Sequence, residues 1–120
     1  MSLYDTVFNF PDHKSGTTLD AGISFTIVVN SVAIDFTGAS AAAKFRKDRI
    51  DGPVSLEMTT DNGLFTFNSP ATDGVINVAS QLISLAPATY YYDIKYVLAS
   101  GETKIRVGGQ WTITKVATDV

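Results

Sequence analysis

The sequence predicts an all-β protein: a single domain whose antiparallel strands close into a sandwich or small barrel. Three observations lead there. Apolar and polar residues alternate with period two along most of the chain, as in strands that bury one face. The runs that alternate are rich in β-branched and aromatic residues and recur roughly every ten residues. Gly, Asn, Asp and Pro fall between them as turn formers. At 120 residues, the chain has the length of one domain, able to bury about two thirds of its unfolded surface.

Taken in order, a first strand is expected from Tyr4 to Phe10, followed by a polar loop from Pro11 to Gly16. In Ile23 to Val29 the odd positions are large and apolar, while Ser24 and Thr26 face the other way. Asp35 can cap backbone N–H groups in the Thr37-Gly38 turn. Ala39 to Ile50 contains good helix formers, but Ala41, Ala43 and Phe45 alternate with Lys44 and Arg46, which predicts a strand closed by the Asp48 to Pro53 loop. Leu56 and Met58 alternate with Glu57 and Thr59, and Phe65 and Phe67 share a face. Between these two runs, Asp61-Asn62-Gly63 reads as a hairpin turn. Val75 to Val78 is a short strand, and one helical turn is expected around Ala79-Ser80-Gln81. Tyr92, Ile94, Tyr96 and Leu98 face inward opposite Asp93 and Lys95. A tight turn at Ala99-Ser100-Gly101-Glu102 leads to a last strand whose inward residues are Ile105, Val107, Trp111 and Ile113. Tyr90 or Tyr92 suits a tyrosine corner, its hydroxyl returning to the backbone just upstream.

The inventory of reactive groups is thin. Nine Lys and Arg against twelve Asp and Glu leave a net charge of −3, which disfavours a nucleic-acid partner that must neutralise phosphates. Cysteine is absent and His13 is the single histidine, so neither thiol chemistry nor an ordinary zinc site is expected. His13 reads as a loop bystander, and Asp48, Asp51, Asp61 and Asp73 as solvated turn carboxylates. No Gly-x-Ser-x-Gly, Gly-x-Gly-x-x-Gly or calcium-loop spacing occurs. The expectation is therefore a protein that is not an enzyme and uses no cofactor or metal. Met1 to Asp5 lacks the pattern of a signal peptide, and no apolar run approaches the roughly 18 residues of a membrane span, so no membrane partner is expected.

Two surfaces stand out as candidate interfaces. The first is the opening strand, with Tyr4, Val7, Phe8 and Phe10, unusually apolar so close to a terminus; the other reading, which the pattern favours, is that this strand completes the domain's own sandwich. The second is the polar face of the tyrosine-rich strand, where Tyr91 lies with Asp93, Lys95 and Val97. Tyr91 also supports an alternative reading, a carbohydrate-binding sandwich that stacks a sugar on an exposed ring.

Several segments follow an order that resembles a known family. These are Ala21-Gly22-Ile23-Ser24-Phe25, Asp35-Phe36-Thr37-Gly38-Ala39 and Ala43-Lys44-Phe45-Arg46. Leu85-Ala86-Pro87-Ala88-Thr89-Tyr90-Tyr91-Tyr92-Asp93-Ile94 follows, then Gly101 in a hairpin and Gly108-Gly109 before the last strand. The run from Asp20 to Thr114 resembles the N-terminal immunoglobulin-like domain of bacteriophage baseplate and fibre-attachment proteins. It departs from that pattern at Ile23, where an aspartate is usual, and at Ala88, where a glycine is usual. The resemblance implies an immunoglobulin-like antiparallel β-sandwich and a structural protein of the tail, baseplate or head surface. It further implies contacts with other virion proteins, a homo-oligomer within a symmetric assembly, and synthesis in the bacterial host cytoplasm before incorporation into the virion.

Overall fold

The computed structural model describes residues 6–20 and 22–116. Its strands are β1 (Thr6–Val7), β2 (Phe10–Lys14), β3 (Thr17–Leu19), β4 (Ser24–Thr26), β5 (Val28–Val29), β6 (Val32–Ala33) and β7 (Ser40–Lys47). They continue with β8 (Val54–Thr59), β9 (Phe65–Phe67), β10 (Val75–Val78), β11 (Gln81–Ile83), β12 (Ala88–Val97) and β13 (Thr103–Thr114). The largest sheet runs β1-β13-β12-β7-β8, with β2 joining β13 beside β1. A second sheet, β4-β10-β9, packs across it, and the pairs β11-β3 and β5-β6 complete the shell.

The core between the sheets is aromatic. Phe25 of β4 meets Phe10 of β2 at 5.8 Å and Tyr92 of β12 at 6.3 Å between ring centres. Phe36 bridges the other end, 4.7 Å from Phe67 and 5.3 Å from Tyr96. Phe45, Met58, Phe65, Ile76, Ile94, Trp111 and Ile113 fill the space between. Most of these are the inward residues that period-two alternation selects, and β7 is a strand, as its alternation predicts. Polar tips inside the core are satisfied. Tyr90 Oη donates to the Ala86 carbonyl at 2.7 Å, the expected tyrosine corner. Tyr92 Oη donates to the Phe8 carbonyl at 2.6 Å, and Trp111 Nε1 to the Pro11 carbonyl at 3.0 Å.

Five local expectations are corrected. The Pro11 to Gly16 stretch begins as strand, because β2 follows β13 in parallel with an irregularity between Trp111 and Ile113. A bulged edge strand can hold Pro11, whose missing N–H costs the ladder nothing there. The pairings β1-β13 and β2-β13 are the two parallel exceptions among the described pairs, all the others being antiparallel. Asp61-Asn62-Gly63 joins the two sheets and does not form a hairpin, since β8 pairs with β7 and β9 with β10. There Asn62 Oδ1 accepts from the Thr59 and Leu64 amides, holding the crossover as a side-chain-capped turn. The helical turn lies at Ala71–Asp73, and residues 81–83 are β11. Ile105 points outward, for a reason that shapes the site below.

Gly109 explains how the N-terminal segment crosses the sheet. The Phe8 amide donates to the Gly108 carbonyl at 3.0 Å, and Asn9 Oδ1 accepts from the Gln110 amide at 3.0 Å. A Cβ at Gly109 would overlap the Phe8 carbonyl oxygen and stand 2.7 Å from its carbonyl carbon. The absent side chain is thus what lets the segment between β1 and β2 lie against β13.

Candidate functional site

The outer face of the large sheet carries a hollow of ≈ 430 Å³ lined by Ala42, Lys44, Arg46, Ile50, Tyr91, Tyr92, Asp93, Lys95 and Ile105. Its walls come from three adjacent strands and one loop. Tyr91 stands opposite Arg46 across β12 and β7, and Lys95 stands opposite Ala42. On the next strand pair, Lys44 stands opposite Glu57, which lies outside the hollow.

Two irregularities complete the rim. Between β12 and β13 the register shifts: Ile94 pairs with Val107, but Lys95 pairs with Ile105. Arg106 is the extra residue of this bulge. Its insertion turns Ile105 to the face of Lys95, where it is 49% exposed. Arg106 Nε in turn donates to Tyr96 Oη at 3.0 Å. At the other rim the Asp48 to Pro53 connection folds back, with Asp48 at φ 67° and its amide donating to the Thr89 carbonyl at 2.8 Å. The Gly52 carbonyl accepts from Arg46 Nη1 at 2.9 Å, and Ile50 is carried on the same connection.

The hollow is cationic. Its lining holds Lys44, Arg46 and Lys95 against Asp93, a balance of 3 − 1 = +2 on a chain of net −3. The ion pairs Arg49–Asp51 and Lys104–Glu102 lie outside the lining, and Lys44, Arg46 and Lys95 form no ion pair among the described residues.

The structure separates the residues singled out in the sequence. Tyr91 is half-buried in the hollow; Val97 is half-buried on the same face, outside the lining. Val7 is 54% exposed on the edge strand β1. Phe10 is withdrawn from the candidate interface, because its ring lies in the core at 3% exposure against Trp111, Phe45 and Tyr92. Phe8 packs edge-on against Phe10 and Phe25, which draws it inward as well. Tyr4 lies outside the described residues. His13 is a strand residue, its Nε2 3.0 Å from both the carbonyl and Oγ1 of Thr17 and its ring 5.9 Å from Trp111. Its role is to tie β2 to β3. Among the described residues no group of three His, Asp or Glu is placed to hold a metal ion. Asp51 pairs with Arg49, and Asp73 accepts from Asn68.

Lys44, Arg46, Ile50 and Ile105 were not candidates in the sequence. Alternation puts Lys44 and Arg46 on one outward face, and Asp93 and Lys95 on another. Only the β7-β12 register makes these one surface. No family model, curated protein or solved structure matches the chain.

Proposed function

We propose that this chain is a structural protein of a bacteriophage virion, an adaptor of the tail, baseplate or fibre attachment or a decoration of the head surface. In this reading it is an immunoglobulin-like sandwich, not an enzyme. It acts through contacts with other virion proteins and with copies of itself, and is made in the host cytoplasm. The tyrosine corner at Tyr90 and the ordered motifs from Asp20 to Thr114 support the immunoglobulin-like reading.

The observation that carries the functional reading is where exposed apolar side chains fall. Val7, Val28, Val32, Val54 and Leu82 are five of the seven large apolar residues exposed among those described. All five lie on strands with an edge that no described residue pairs: β1, β5, β6, β8 and β11. Leu82 is 63% exposed beside a groove of ≈ 280 Å³ lined by Ser55, Leu56, Ile83, Ser84 and Leu85, between β8 and β11. Edge strands ordinarily carry charge or proline that blocks pairing, whereas apolar edges with free backbone groups receive partners by strand addition. Symmetric assemblies repeat such contacts at fixed spacing.

The test is assembly. Purified protein is expected to form a defined ring or to incorporate into particles, read by light scattering after size exclusion and by particle co-sedimentation. Leu82→Arg is expected to weaken that assembly with the fold intact. A strictly monomeric species that joins no particle refutes the reading.

A further inference from the structure

We infer that the outer-face hollow around Tyr91 is a binding site for a carboxylate-bearing sugar, a site independent of the edge contacts just described. Its size falls in the range of small-molecule sites, roughly 300–1,000 Å³. The centre is low because Ala42 is small. The rim is high because Arg46, Tyr91, Lys95, Ile50 and Ile105 are long.

The mixture of groups selects the ligand. Tyr91, Ile50 and Ile105 offer apolar surface suited to the C–H face of a pyranose. The two lysines and Arg46 can donate to a carboxylate and to ring hydroxyls. Arg46 spends a donor on the Gly52 carbonyl, which fixes the guanidinium and leaves other N–H groups for a ligand. A bare phosphate ion would engage the cations and leave the apolar rim uncovered. A neutral sugar would cover the rim and leave an excess charge of +2 unanswered. An acidic sugar meets both.

The experiment is a titration of the ¹⁵N-labelled protein with trigalacturonate and with 3′-sialyllactose, followed by amide shifts. Maltotriose, inorganic phosphate and hexaglutamate serve as comparison ligands. Saturable shifts at Lys44, Tyr91 and Lys95 are expected with at least one acidic sugar below about 10 mM, weakening as salt rises. Lys44→Gln with Lys95→Gln, and separately Tyr91→Ala, should each weaken that binding by about tenfold while the core amide shifts stay in place. Absence of saturation by both acidic sugars overturns the inference. So does equal binding of maltotriose, which would make the site a neutral-sugar platform, or equal binding of phosphate or hexaglutamate, which would make it a general anion patch. Leu82→Arg should leave sugar binding unchanged, so failure of the assembly reading and failure of this one are read separately.

Discussion

Replacing Gly109 by alanine tests the account of how the N-terminal segment is held. The added methyl would overlap the Phe8 carbonyl oxygen and sit 2.9 Å from Asn9 Oδ1. Backbone cannot yield there as a flexible side-chain end would, so residues 8–9 must lift away from β13. That movement endangers the Tyr92 Oη donation to Phe8 at 2.6 Å and the Gln110 donation to Asn9 at 3.0 Å. Overpacking costs about 1–3 kcal/mol, and each hydrogen bond lost about 1 kcal/mol. The expected destabilisation is therefore about 2–5 kcal/mol, seen as a fall in Tm of roughly 4 °C per kcal/mol in a domain this size. Thermal unfolding by circular dichroism measures it, and hydrogen exchange localises it to the Phe8 and Gln110 amides. Tyr92→Phe added to Gly109→Ala should cost less than Tyr92→Phe alone, because the two act on one contact. Gly63→Ala is the comparison, since no heavy atom lies within 4 Å of a Cβ there and the strain comes only from φ +79°. A Gly109→Ala protein within a degree of the wild-type Tm, with unchanged exchange at Phe8, refutes the reasoning.

Tyr90→Phe should lower stability by about 1–2 kcal/mol in urea unfolding, because the Ala86 carbonyl loses its donor. Burial, aided by the nearby Asp48 charge, pushes the Tyr90 phenol above its ordinary value of 10.0. The unfolded chain then gives up this proton first, so stability is complete below about pH 10 and falls as pH rises beyond it. A Tyr90→Phe protein should lose part of that alkaline slope. The Asp35 carboxylate accepts from the Thr37 hydroxyl and amide, which lowers it below its ordinary 3.8. Its contribution is present above about pH 3.8 and disappears as pH falls through the lowered value, so an NMR titration should find Asp35 among the most acidic side chains.

How far the sequence could be read depended on the range of the interaction. Alternation alone placed Phe25, Ile27, Ala41, Ala43, Phe45, Met58, Tyr92, Ile94, Tyr96 and Trp111 inside. It succeeds because a strand's side chains take opposite sides whatever the strand pairs with. The Asp35 cap, the Gly101 turn and the Tyr90 corner were equally readable, since each closes within four residues. Asn62 shows the limit: its turn chemistry was correctly placed, but whether the chain turns back or crosses between sheets is decided by which partner each strand finds.

The sequence by itself determined a β-sandwich with an aromatic interior and a scarcity of reactive groups. Tertiary structure decided everything that depends on register. Pairing β12 with β7 brought Tyr91 beside Arg46, and one bulge at Arg106 turned Ile105 from the expected core to the rim of the same hollow. For Phe10, which the sequence left open between an interface and the sandwich interior, β13 decided for the core by offering it a parallel partner. The physical reason is that a strand's own pattern divides two faces, whereas the neighbours on each face are chosen by residues far away in the chain.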